Sequence, residues 1–186
     1  NRRVAGNHAC GELHGREGVP LPPVVSSERF TQNRDDTKTV YHPHRTTTGS
    51  RKDGHVTATY DIVFDGGSKG NPGLGYGSYE VTLGDEVIAH QRLDYGDRVT
   101  NNQAEYTTLV RALQWLADEL GPAAATASVR VHGDSQLVIK QLNGEWKIKD
   151  PILRGIAMDA RVQMARFGDV TLNWHPRAMS VKRLGH

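Results

Sequence analysis

The chain has 186 residues, of which 37% are hydrophobic and 20 are glycine, with one cysteine and a formal net charge of +2. That length suits one domain, or a smaller domain with a tail, and the apolar content is enough for a packed core. No run approaches the ~18 apolar residues of a membrane span. The opening Asn1-Arg2-Arg3 lacks the apolar stretch of a signal peptide, and a lone Cys10 excludes an intrachain disulfide or an all-cysteine zinc site. The expectation is a soluble, cytoplasmic protein in which any metal is held by oxygen.

The charge is unevenly spread. Residues 1–57 carry nine Lys/Arg against six acids, net +3, whereas the remainder carries 14 against 15, net −1. The first segment also holds a proline cluster (Pro20, Pro22, Pro23), a threonine run and no sustained period of 2 or 3.6. It has too little apolar surface to offset chain entropy and is expected to be a disordered, basic extension, a texture shared by nucleic-acid-binding arms and plain linkers. His8, Cys10 and His14 match no standard zinc spacing and lack a fourth ligand.

From Thr57 the pattern changes. TATYDIVFDGG alternates Tyr60, Ile62 and Phe64 with Asp61, Val63 and Asp65, which predicts a strand. GYGSYEVTL and EVIAHQRLDYG are β-prone and separated by Gly84-Asp85, a hairpin spacing. NNQAEYTTLVRALQWLADEL sets Tyr106, Leu109, Leu113, Leu116 and Leu120 at helical steps, with Asn101 or Asn102 as the expected cap and Gly121-Pro122 as the stop. SVRVHG reads as a strand running into Asp134, and SQLVIKQLNG as a short helix. Asp150-Pro151 opens another helix whose core face is Leu153, Ile156, Ala157, Ala160, Met164 and Phe167; Val170 to Trp174 supplies a last strand. The order βββαβααβ predicts an α/β domain over 58–186: one mixed five-stranded sheet, three antiparallel strands first and two more added through helical crossovers, with helices packed on it.

Three acids stand at element ends. Asp65 closes a strand before the glycine-rich loop Gly66 to Gly73, Glu105 is placed in the first turn of the long helix, and Asp134 lies where a strand yields to a helix. Singly, each has a structural reading as well as a functional one. The glycines suit a tight turn, an acid suits a helix N-terminus through the dipole, and Asp134 would serve as an N-cap.

Together, FDGGSKGNPG around Asp65, TNNQAEY around Glu105 and GDSQLVIKQ around Asp134, separated by 40 and 29 residues, resemble the ribonuclease H type 1 family in order and in predicted elements. The resemblance covers about Tyr60 to Arg177. Since NGEWKIKDP passes directly into the next helix, it points to the shorter branch without the basic helical protrusion. It implies an RNase H-like fold and a metal-dependent endonuclease that hydrolyses the RNA strand of RNA/DNA hybrids, leaving 5′-phosphate and 3′-hydroxyl ends. Asp65, Glu105 and Asp134 would be catalytic residues and ligands of two Mg²⁺ ions about 4 Å apart, with Mn²⁺ as a substitute. Such ions relieve the mutual repulsion that would otherwise raise the acids' pKa values. Backbone groups at Gly66, Gly67 and Ser68 would read the 2′-hydroxyl. Asn71, Asn102 and Gln136 would touch the minor groove, and Thr100 with Asn101 a phosphate of the DNA strand. The partner implied is a hybrid duplex, with no membrane and no protein partner, and the chain is expected to act as a monomer.

The C-terminus departs from the family's pattern, HVPREXNXXADXLA. In WHPRAMSVKRLGH, Trp174, Pro176 and Arg177 align with it, but Ala178 stands for Glu, Ser180 for Asn and Leu184 for the fourth acid, and no Asp or Glu follows Asp169. The usual final helix is expected to be absent, because the sequence stops at His186. Activity would be reduced. An Asp at position 184 would raise it if the end reaches the metals, and His175 or His186 could offer a substitute ligand, whereas His132 reads as a strand residue. The alternative is a non-catalytic hybrid-binding or nucleic-acid-binding module on the same fold.

Overall fold

The computed structural model describes residues 57–185. The basic extension up to residue 56, with His8, Cys10 and His14, and the terminal His186 lie outside the described residues. Three strands come first, β1 (Thr59–Gly70), β2 (Gly73–Leu83) and β3 (Glu86–Val99), followed by α1 (Asn101–Leu120) and a 3-10 segment (Gly121–Thr126). Then come β4 (Ser128–Gly133), α2 (Gln136–Leu142), α3 (Pro151–Met164), β5 (Asp169–Trp174) and α4 (Arg177–Leu184). The sheet order is β3-β2-β1-β4-β5. β1 to β3 form an antiparallel meander, while β4 joins β1 and β5 joins β4 in parallel, as a mixed sheet with crossovers requires.

β1 is central and is buried on both faces. Tyr60, Ile62 and Phe64 share one face with Tyr79 and Val81 of β2 and Val129 and Val131 of β4, which the register places beside them. α1 covers this face with Tyr106, Leu109, Leu113 and Leu116, all fully buried, and α3 adds Leu153, Ala157 and Ala160. Truncating one such leucine to alanine costs about 2–5 kcal/mol, so the α1 stripe is the main fastening of helix to sheet. α3 is capped by Asp150, whose carboxylate accepts from the Ile152 and Leu153 amides, with Pro151 in the first turn.

The opposite face carries Asp61, Val63 and Asp65 of β1, Glu80 of β2, and Arg130 and His132 of β4. α4 covers part of it, contrary to the expectation that no final helix exists. Leu184 and Ser180, four residues apart, are its buried positions, and Gly185 ends it in the left-handed conformation at φ 77°. Arg183 donates to the buried Glu80 at 2.6 Å, with His90 on the same carboxylate at 3.5 Å. Eight residues suffice because the sheet, rather than helix propensity, holds them.

Candidate active site

Two tight approaches bring the acids to one end of the sheet. Phe64 of β1 pairs with Gly133, the last residue of β4, so the next residues, Asp65 and Asp134, lie side by side. Asp65 does not close its strand as expected: β1 runs on to Gly70 in register with β2, so the glycine-rich stretch Gly66 to Gly73 is hairpin strand with only Asn71-Pro72 as its turn. Glu105 arrives from α1. A Cβ at Gly66 would lie 2.5 Å from the Glu105 amide nitrogen and 2.7 Å from the Ala104 carbonyl oxygen, so only glycine allows the helix to sit this close to β1.

The start of α1 differs from expectation in two respects. Thr100, rather than Asn101 or Asn102, is the cap: its hydroxyl accepts from the Gln103 amide, and Gln103 Oε1 accepts from the Thr100 amide, forming a capping box. Glu105 consequently falls in the second turn, where helix-dipole stabilisation has faded. Asp134 is likewise not the cap of α2. Ser135 is, through its hydroxyl and the Val138 amide, which leaves the Asp134 carboxylate for other work.

The same Ser135 hydroxyl donates to Glu105 Oε2 at 2.6 Å. Arg177, first residue of α4, spans the other two acids: one guanidinium nitrogen is 3.7 Å from Asp65 Oδ2 and the other 3.7 Å from Asp134 Oδ2. Asp65 is only 2% exposed. Burial pushes the Glu105 carboxyl up to about 7, and the charges of Asp134 and Asp65 add to the rise while Ser135 and Arg177 oppose it. Asp134 is raised too, first by burial and then by Asp65. Three carboxylates thus share one poorly solvated place, the arrangement that marks functional sites more often than structural ones.

The donor set is all oxygen, the kind preferred by hard divalent cations such as Mg²⁺ and Mn²⁺. Asp134 Oδ2 is buried and makes no hydrogen bond, only the long ion pair to Arg177. On both counts the residues fit such an ion. Among the described residues, however, no three His, Cys, Asp or Glu side chains are grouped closely enough to enclose one ion as they stand. The positive charge within reach of Asp65 and Asp134 is a guanidinium.

The polar residues expected to contact substrate divide into two groups. Asn71, Ser68 and Asn101 form one network, in which Asn101 Oδ1 accepts from the Ser68 amide at 2.7 Å and Asn71 Oδ1 accepts from the Asn101 amide at 3.2 Å, while Thr100 is engaged with Gln103 in the capping box. The Ser68 amide is therefore committed to Asn101 and not open to a 2′-hydroxyl. Gly66 and Gly67 are buried under α1 and the Tyr76 ring. Asn102 is half-buried at the start of α1, while Gln136 is exposed at the start of α2, beside the Asp134 strand end.

Neither histidine near the acids is aimed at them. His132 Nε2 contacts Asp61 at 3.1 Å, and His175 Nε2 contacts Ser180 Oγ at 2.8 Å, while the two rings stack at 6.2 Å. Leu184 is fully buried under α4. The residues that sequence reading left without a role are Ser135 and Arg177. Both sit inside stretches that matched the family pattern, yet a hydroxyl and a guanidinium gain meaning only from which acid they face.

A family profile described as reverse transcriptase-like matches residues 83–181. The solved structure of RNase H1 from the halophilic archaeon Halobacterium salinarum NRC-1 superposes with a TM-score of 0.59 at 38% identity, covering 66% of this chain and 89% of that one. The chain belongs to the ribonuclease H type 1 family. Its relatives include ribonuclease HI of Halobacterium salinarum, 41% identical over 115 residues, which are 62% of this chain and 55% of that protein. The chain thus spans about half the length of that curated relative. LC11-RNase H1, solved in complex with an RNA/DNA hybrid, is 27% identical with a TM-score of 0.62, covering 66% of this chain and 89% of that one. Among the described residues of this ribonuclease H relative, no helix is long and apolar enough to cross a membrane.

Proposed function

We propose that this chain is a metal-dependent endonuclease acting on the RNA strand of RNA/DNA hybrids. The observation that carries the reading is the approach of Asp65, Glu105 and Asp134 beside the end of β4: Ser135, next to Asp134, bonds Glu105, and Arg177 spans Asp65 and Asp134. Asp65 and Asp134 would hold divalent ions, Mg²⁺ or Mn²⁺, with Glu105 joining them once ionised. Bound ions would supply a nucleophilic water and shelter for charge on the leaving 3′ oxygen. The chain's own part is to position. Ser135 fixes one oxygen of Glu105, and the tightly packed Gly66 fixes the helix that carries it.

Substrate would be held by groups with donors to spare. Because the Asn71 and Asn101 side-chain oxygens are taken internally, their NH₂ groups remain as outward donors for phosphate or sugar oxygens. Gln136 and Asn102 would reach the minor groove, whereas Gly66 and Gly67, covered by α1 and the Tyr76 ring, would act by holding those elements close. Activity is expected to be reduced, since Leu184 offers no fourth carboxylate.

A second reading, a hybrid-binding module that does not cut, is favoured by that same missing acid and by the guanidinium at the acids. Cleavage of a labelled hybrid across a Mg²⁺ and Mn²⁺ titration distinguishes the two. Metal-dependent cutting of the RNA strand, abolished by Asp65→Asn with binding retained, supports the nuclease. Binding without cutting at any metal concentration supports the module, and equal cutting of DNA duplex would remove the hybrid assignment. Residues 1–57 would add salt-sensitive affinity through their +3 charge, which a shallower salt slope on their deletion would show.

A further inference from the structure

We propose that Arg177 is a built-in counter-ion of the carboxylate site, a guanidinium that neutralises Asp65 and Asp134 in the metal-free protein and must leave them for divalent ions to bind. The inference rests on the reading of these acids as a metal centre and adds a regulatory contact to it.

Both contacts are 3.7 Å, well beyond the ~2.7–2.9 Å of a charge-assisted hydrogen bond, so Arg177 is held by Coulomb attraction and not by a locked fork. Its side chain is 64% exposed, whereas the carboxylates it faces are 2% and 8% exposed. A buried pair of acids is therefore served by an arm that can swing into water without repacking the core. The base of the arm, by contrast, is fixed. Arg177 opens α4, which is pinned to the sheet by buried Leu184, by Ser180 on His175 and by Arg183 on Glu80. The fixed base keeps the guanidinium close, and the free arm lets it go.

The electrostatic logic follows from the composition of the site. Three carboxylates and no fourth acid give a cluster that one guanidinium neutralises in part, and the lowering influence of Arg177 reaches both Glu105 and Asp134. A divalent cation near Asp65 and Asp134 would repel a guanidinium within reach of the same oxygens. Metal binding then includes the loss of two partly screened ion pairs, and metal affinity is set lower than the acids alone would give.

The test is Mn²⁺ binding to the full, metal-free chain without nucleic acid, by calorimetry and by the electron paramagnetic resonance signal of free Mn²⁺, for wild type, Arg177→Met and Arg177→Lys. Two ion pairs of this partly exposed kind together correspond to about tenfold in affinity. Arg177→Met is expected to bind Mn²⁺ about tenfold more tightly and to be less stable to urea without metal, whereas Arg177→Lys stays near wild type. Equal affinity in wild type and Arg177→Met, or weaker binding in Arg177→Met, overturns the proposal. Absence of Mn²⁺ binding in all three overturns the metal-centre reading and the proposal with it. Should Arg177→Met fail to fold, the wild type still decides: Mg²⁺ should shift the Arg177 Nε–H resonance, and a resonance that stays in place as other site signals move refutes the displacement.

Discussion

Replacing Glu105 by glutamine isolates the cost of keeping a charge in the site. The carboxyl is raised from 4.5 to about 7, chiefly by burial. At 1.36 kcal/mol per pH unit this corresponds to about 3 kcal/mol by which ionised Glu105 is disfavoured in the folded protein. The sign follows from proton linkage. Between pH 4.5 and 7 the unfolded chain gives up this proton while the folded chain keeps it, so metal-free protein loses stability as pH rises through that window, with the full penalty above it. Glutamine still accepts the Ser135 hydrogen bond but never ionises. Glu105→Gln should therefore stabilise the metal-free protein at pH 8 by roughly 2–3 kcal/mol and at pH 4.5 by less than about 0.5 kcal/mol, since there even the unfolded glutamate is half protonated. Urea unfolding at the two pH values measures both. An equal gain at both, or a loss at pH 8, would refute burial as the cause.

Three further substitutions test the frame around the acids. Gly66→Ala would set a methyl 2.5 Å from the Glu105 amide; pushing α1 away should cost about 1–3 kcal/mol in urea unfolding and reduce hybrid cleavage more than that loss of stability explains. Arg183→Ala leaves Glu80 buried with only His90 beside it, and a drop of about 1–3 kcal/mol is expected by thermal or urea denaturation, partly restored by Glu80→Gln in the same chain. Leu184→Asp, which the family pattern suggests would raise activity if the chain end reaches the metals, exchanges a fully buried leucine for a charge shut off from water. It should cost about 3–5 kcal/mol and give no faster cleavage of hybrid; a faster rate would mean that the α4 end reaches the acids after all.

Much of the scaffold was readable because local patterns and tertiary burial agree. The Tyr106, Leu109, Leu113 and Leu116 stripe is the face that α1 buries, and the alternation along β1 separates the helix-covered face from the acid-bearing one. Asp150-Pro151 starts a helix as its chemistry requires. The observed caps of α1 and α2, Thr100 and Ser135, differ from the expected Asn101 or Asn102 and Asp134 by one or two residues, and in both cases a Thr or Ser stands beside an Asn or Asp of similar capping preference. Only the geometry of the chain entering the helix chooses between such neighbours. The acids could be picked out from motif spacing, but their convergence depends on close approaches at Gly66 and on the parallel register of Phe64 with Gly133, neither of which has a local signature.

α4 shows most plainly what sequence leaves open. Its stop signal is present in Gly185, after Lys182 and Arg183 in the last turn, yet its apolar residues Met179 and Val181 are exposed and give no stripe to read. The helix forms because the far face of the sheet needs cover. Val63, Asp65 and Glu80 are all nearly inaccessible although α1 lies on the other side, and α4 packs against β1 and β2 with Leu184 and Ser180 inward. A helix that follows β5 and shields that face of β1 begins near the end of β4 and the middle of β1, because β5 runs parallel to β4 and ends level with it, Trp174 opposite Gly133 and Gly133 opposite Phe64. Its first residue therefore arrives beside Asp65 and Asp134. With an arginine there and a leucine where the pattern has an acid, one short helix both withdraws the carboxylates from water and brings them a cation, so the charge state of the site and the docking of α4 are physically one problem.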